Sequence, residues 1–190
     1  QGYASLTLNT TGSSNTAIGM YAMENNTSGG NNSSVGKDSL QLNTTGSSNT
    51  VHGHSALENN VTGSENVAMG MYSSDYNVSA TSTTAVGYAA GYGNGDYYYN
   101  QGGVYLGYQS GYSVGNNSDY NTFLGYQSGY NVTTGKNNIL LSTATSSTAI
   151  ANLTTGSQNI LIGANVSLPS ATASGQLNIG NIIYGTGNTG

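Results

Sequence analysis

Small and apolar residues return along this chain at a fixed interval. A pair of such residues followed by glycine closes at Gly19 ("AIG"), Gly36 ("SVG"), Gly53 ("VHG"), Gly70 ("AMG") and Gly87 ("AVG"), a step of 17 every time. The nine residues "LNTTGSSNT" occur verbatim at Leu8–Thr16 and Leu42–Thr50, two such steps apart. Asn9, Asn26, Asn43, Asn60 and Asn77 keep the same interval, as do Asn15, Asn32, Asn49 and Asn66, followed by Thr83. The period then stretches: "YLG" ends at Gly107, "FLG" at Gly125, "ILLS" reaches Ser142, "LIG" ends at Gly163 and "NIG" at Gly180. Insertions of this kind map to loops between repeats, as in "GNGDYYYNQGG" at 93–103.

A 17-residue period is shorter than the usual helical repeats and matches one turn of a β-solenoid. The expected fold is all-β, a parallel β-solenoid or β-roll of about ten 17-residue coils. Residues 1–92 form the regular part, 93–142 the Tyr-rich coils with insertions, and 143–190 irregular terminal coils and an assembly segment. Each coil is expected to hold two short strands, "NTAIG" and then "YAME" or "SALE", with "NTTG" as a turn. Ten rungs at about 4.8 Å make a rod roughly 50 Å long. Within the first strand, Ala17, Ser34, Val51, Ala68 and Ala85 make a column of small residues. Ile18, Val35, His52, Met69 and Val86 make a larger apolar column on the opposite face. One of these packs inside the coil, and the other against a partner chain.

Composition narrows the reading. The chain has 29 Gly, 26 Asn, 16 Tyr and one Pro in 190 residues. Gly, Asn, Ser and Thr are weak helix formers, which leaves turn-rich β-structure. Charged residues are 5% of the chain, against roughly 25% in ordinary domains. Stacked rungs explain this, because identical side chains lie over one another and like charges repel. The column through Glu24 accordingly continues as Gln41, Glu58, Asp75 and Tyr92. A net charge of −5 with two basic residues excludes electrostatic nucleic-acid binding. No apolar run is long enough for a membrane span. Without Cys there are no disulfides or thiolate metal sites. The chain opens on Gln1 with no signal-peptide pattern, as expected of a processed product or an excised segment.

"NTTGSSNTAIGMYAMENN" and "GYQSGYNVTTGKNN" resemble the "NTAxGxxAL…NTTG" repeats of bacterial and phage fibre proteins, which often precede a tail-spike-type intramolecular chaperone. "GQLNIGNIIYGTG" (Gly175–Gly187) resembles the segment that joins such repeats to the downstream region. More loosely, the repeats resemble the head repeats of trimeric autotransporter adhesins, whose period is shorter and whose three chains form a left-handed parallel β-roll. The chain carries no chaperone domain. The resemblance implies a fibre architecture and trimerisation.

Candidate chemistry is sparse. His52 and His54 in "VHGHSAL" stand two apart on one strand face, a spacing that can hold a metal, yet one chain supplies two ligands where four are usual. The alternative is a His tolerated in a half-buried column, and no metal or other cofactor is expected. "GYAAGY" at 87–92 and "GYQSGY" at 107–112 and 125–130 would stack Tyr into two ladders, which cover a solenoid face or contact glycans. Twelve Asn begin N-x-S/T sequons. The candidate glycosylation sites are Asn9, Asn26, Asn43, Asn60, Asn77, Asn131, Asn152 and Asn165, although Asn-rich turns beside Thr generate sequons automatically. "GNGDY" (Gly93–Tyr97) has too few carboxylates for calcium. Seven scattered carboxylates, no Cys and no nucleophile elbow give no catalytic set, so an enzyme is not expected.

The leading expectation is therefore a structural subunit of a rigid extracellular or cell-surface fibre, filament or adhesin stalk, or of a phage fibre. Its partners are copies of itself, as a trimeric shaft or a head-to-tail filament, and surface glycans. The alternatives are a glycan-binding module, a secreted amyloid, or an ice-binding solenoid presenting the row Thr16, Ser33, Thr50, Val67, Thr84.

Overall fold

A computed structural model describes residues 2–143 and 153–186. The chain is an all-β solenoid with no helix among the described residues. Ten strands follow one another in parallel: β1 (Thr16–Ile18), β2 (Ser33–Val35), β3 (Thr50–His52), β4 (Val67–Met69), β5 (Thr84–Val86), β6 (Val104–Leu106), β7 (Thr122–Leu124), β8 (Ile139–Leu141), β9 (Ile160–Ile162) and β10 (Gln176–Ile179). About nine turns of the coil connect them. An eleventh strand, β11 (Ile183–Thr186), folds back antiparallel on β10, so this edge of the sheet ends in a hairpin instead of another coil. The strand order in the sheet is the chain order throughout.

Register follows the sequence period. Ala17 pairs with Ser34, Ser34 with Val51, Val51 with Ala68 and Ala68 with Ala85. The 93–103 insertion leaves this intact, since Ala85 pairs with Tyr105 across it. The glycine column is steric in origin. Gly19 has φ +138°, and a Cβ there would lie 2.2 Å from the Gly36 carbonyl oxygen of the next coil. Gly36, Gly53, Gly70 and Gly87 repeat the same approach to the coil beyond. Only a residue without Cβ lets the backbones stack at that point.

Among the described residues the second strand of the coil does not form. Beyond each glycine the backbone alternates in handedness: Tyr21 and Met23, Asp38 and Leu40, and Ser55 and Leu57 all have φ between 51° and 59°. Left-handed residues at alternate positions bend the chain into an arch that cannot lie in a pleated strand. The arches still stack by hydrogen bonds between coils, as in Leu40 N–H to Ala56 O (3.0 Å) and Leu42 N–H to Glu58 O (2.9 Å). Each non-glycine residue held so costs about 1–2 kcal/mol, which burial of the Met23, Leu40 and Leu57 side chains offsets.

The small column is the inner one. Ala17, Ser34, Val51, Ala68 and Ala85 are buried, and the column continues inward as Tyr105, Phe123, Leu140 and Leu161. The change in volume along it is matched across the coil. Where the strand supplies Ala, Ser or Val, the facing arch supplies Met23, Leu40 and Leu57. Where the strand supplies Tyr105 and Phe123, the arch supplies Gly111 and Gly129. A Cβ on Gly129 would meet the Phe123 ring at 2.3 Å. The second glycine of each "GYQSGY" is there to admit an aromatic ring.

Two asparagine ladders run inside the coil. Asn26, Asn43 and Asn60 are fully buried. In each, Nδ2 donates to Oδ1 of the Asn one coil earlier (2.7, 2.8 and 3.1 Å) and to the carbonyl of the glycine three residues on. The other ladder, Asn15, Asn32, Asn49 and Asn66, accepts a backbone N–H from the following coil at each step. It resumes at Asn121, Asn138 and Asn159 and ends on Gln176.

Candidate functional site

The sequon column lies inside the wall. Asn26, Asn43, Asn60 and Asn77 were expected as exposed acceptors of sugar; all four are fully buried, and their Nδ2 atoms, where sugar would attach, are hydrogen-bonded within the ladder. This corrects the expectation: the turn asparagine points inward because a stacked amide satisfies its neighbours. Asn9 and Asn131 are half-buried and Asn165 is exposed, while Asn152 lies outside the described residues.

Of the histidines, only His52 is in a strand. His54 follows Gly53 in the arch, where it packs edge-on to Tyr72 (5.5 Å) and sits 3.8 Å from Asp38, so the two do not stand on one strand face. No group of three His, Asp or Glu able to hold a metal occurs among the described residues, in "GNGDY" or elsewhere.

The outward side of the sheet carries two rows. The row that begins with Thr16, Ser33, Thr50, Val67 and Thr84 continues as Val104, Thr122, Ile139, Ile160 and Leu177, so Thr gives way to branched apolar residues. The row beside it runs Ile18, Val35, His52, Met69, Val86, Leu106, Leu124, Leu141, Ile162 and Ile179. Leu124, Ile139 and Ile160 are 39–45% exposed. A Thr lattice for ice would need the first row unbroken.

A second surface is aromatic. Tyr88, Tyr108 and Tyr126 stack in one row with centroids 5.3 and 5.2 Å apart. Tyr92, Tyr112 and Tyr130 stack in another, at 5.1 and 4.8 Å. Between the rows Gln127 Nε2 donates to Gln109 Oε1 (2.8 Å). The expected ladders therefore form, with the rings turned face to face along the rod.

At one end of these ladders the geometry changes. Tyr72 meets Tyr88 and Tyr92 edge-on, and Tyr76 meets Tyr92 at 87°. These rings, with Tyr97 from the insertion, enclose a groove of about 450 Å³ whose floor includes Glu58, Asn59 and Asp75. Asp75 is 5% exposed. Asn59 Nδ2 donates to its Oδ1 (2.9 Å), and its second oxygen has no hydrogen-bond partner among the described residues. Burial, and then the charge of Glu58, push its carboxyl up to about 7 against the pull of the Asn59 hydrogen bond. Burial likewise raises the Tyr92 hydroxyl.

The column Glu24, Gln41, Glu58, Asp75, Tyr92 reads in sequence as a device for avoiding like-charge stacking. That reading missed the groove, which opens where the column passes from carboxylates to rings. The signal was Tyr72 and Tyr76 in the coil before the first insertion. Comparison with protein-family models, with characterised proteins and with solved structures finds no match to this chain.

Proposed function

We propose that the chain is a structural subunit of a rigid extracellular fibre, filament or adhesin stalk, and that the outward face of its sheet packs against copies of itself. The observation that carries this reading is the pair of outward rows, which are apolar together from β8 to β10. Ten rungs at about 4.8 Å give a stripe of two rows about 45 Å long, of which the Ile18 row is apolar throughout except for His52 and the Thr16 row turns apolar toward β10. Charged side chains, the usual guard against association, are nearly absent from it, His52 being its one titratable residue. The motif resemblance to fibre repeats supports the same reading, and a symmetric association of stripes would close a trimeric shaft. The role is mechanical and needs no catalysis.

Sedimentation of the chain at micromolar concentration tests it. The expected result is a species well above 19.3 kDa. Leu124→Asp together with Leu141→Asp, both on the outward row, should give a monomer whose circular dichroism is unchanged. A single 19.3 kDa species that persists on concentration would overturn the reading.

A further inference from the structure

We propose that the groove between Tyr72, Tyr76, Tyr92 and Tyr97 binds an organic ammonium ion, with an N–H of the ion donated to the free oxygen of Asp75 and its carbons held between the rings. The proposal does not depend on how the fibre assembles.

Three features lead to it. The first is ring orientation. Tyr72 and Tyr76 stand at 66° and 87° to Tyr92, and Tyr76 at 51° to Tyr97, so the rings form walls around a space, not the flat platform a sugar ring would need. A cation within about 6 Å of such rings is attracted by their quadrupoles, and more strongly where water is excluded. The second is charge. Glu58 and Asp75 lie in the floor, and neither lysine is among the groove residues. Anions are repelled, and a cation gains a Coulomb attraction to the pair that a neutral donor lacks. The third is an open acceptor. Asp75 is 5% exposed, and Asn59 Nδ2 occupies one of its oxygens, which leaves the other at the groove surface to accept from a ligand in place of water. An ammonium with at least one N–H supplies a charged donor to it. A fully substituted ammonium would gain from the rings and leave that oxygen to water. The groove volume of about 450 Å³ admits a small alkylammonium with room for bound water.

The test is titration of the full chain with butylammonium, tetramethylammonium and neutral 1-butanol, following the tyrosine ring signals by NMR at pH 8. Butylammonium should shift the Tyr72, Tyr76 and Tyr92 rings with a dissociation constant of about 1 mM, as a few cation–ring contacts and one charged hydrogen bond allow. Tetramethylammonium should bind several-fold more weakly, and butanol should leave the rings unmoved. Asp75→Asn should weaken butylammonium about tenfold, with circular dichroism confirming the fold. Tyr76→Ala should weaken both cations alike. No ring shift with butylammonium, or equal shifts with butanol, would overturn the site. Tetramethylammonium binding as tightly as butylammonium, or Asp75→Asn binding unchanged, would overturn the role given to the carboxylate.

Discussion

Replacing Asp75 by Asn should make the protein more stable at pH 8 and leave it unchanged at pH 4. Asp75 is almost fully buried, and its carboxyl is raised from 3.8 to about 7. The charged group that bears on it is Glu58; Tyr92 in the following coil and Tyr98 from inside the core, whose hydroxyls burial raises further, stay neutral across this pH range. The sign follows from linkage. The folded state binds the Asp75 proton more tightly than the unfolded chain does, so the contribution to stability is full below the unfolded pKa near 4. It is lost as pH rises toward the folded value near 7. A displacement from 3.8 to about 7 corresponds to about 4 kcal/mol, an upper bound because groove water can relax around the carboxylate. The amide introduced by Asp75→Asn carries no charge to bury, and its oxygen can still accept from Asn59.

Urea unfolding followed by β-sheet circular dichroism, at intervals between pH 4 and pH 8, measures the effect. Subtracting the Asp75→Asn curve from the parent curve removes every other titration the two proteins share. The difference should be near zero at pH 4 and should grow to several kcal/mol in favour of the variant by pH 8. A difference that stays constant across that range would refute the placement of Asp75 in a desolvated site. So would a variant less stable than the parent at pH 8, since that would mean the carboxylate is stabilised by partners that the structure does not contain.

Three further outcomes are expected. Asn43→Ala orphans Asn26 Oδ1 and one Asn60 N–H, while the Gly46 carbonyl keeps its bond from Asn32 Nδ2, and at about 1–3 kcal/mol for each buried group it should cost at least about 2 kcal/mol in the same unfolding assay. Gly129→Ala should destabilise by about 2–3 kcal/mol through contact with the Phe123 ring and through its φ of +65°; adding Phe123→Leu should recover the contact part and leave about 1 kcal/mol of backbone strain. Peptide mass spectrometry of the chain secreted from a glycosylating host should find no sugar on folded-chain Asn26, Asn43, Asn60 or Asn77, with any occupancy confined to exposed sequons such as Asn165.

The period was the most legible feature because it is enforced at one point in nearly every coil, Ser142 being the exception. Backbones approach so closely at Gly19 and its equivalents that no side chain is allowed, and a steric gate of this kind leaves a mark that simple alignment recovers. The alternation in the strand was legible too, although not its sense: Ala17 and Ile18 define opposite faces, and small residues suit either the inside or the outside until the facing arch is known. The second strand misled because Leu40, Met23 and Leu57 adopt left-handed backbone angles that their side chains disfavour. Propensity cannot anticipate that; the cost is offset by packing between coils, which no local stretch of sequence contains. The sequons misled for a related reason. Asn beside Gly and Thr reads as a solvated turn, and only the 17-residue spacing of Asn on Asn, considered as a stack of amides, points to a buried ladder.

The groove and the change of core are two sides of one event in the wall. Up to β3 the strand column is small and the arch side is filled by Met and Leu; at β6 and β7 the strand column is aromatic and the arch side is glycine. An arch of Ser74, Gly91 and Gly111 has nothing of its own to put inside, so the rings beside it, Tyr92 and Tyr112, cover the outside instead. The insertion falls at this changeover. Of its consecutive residues, Tyr98 goes inward to 1% exposure and bonds the Gly91 carbonyl, while Tyr97 stays 63% exposed over the groove. The carboxylates of the earlier coils, Glu58 and Asp75, are thereby left beneath aromatic rings in place of further polar rungs. A site with buried charge arises here with the strand register kept across the insertion: the stacking fixes the backbone, and the exchange of volume across the wall decides where the surface opens.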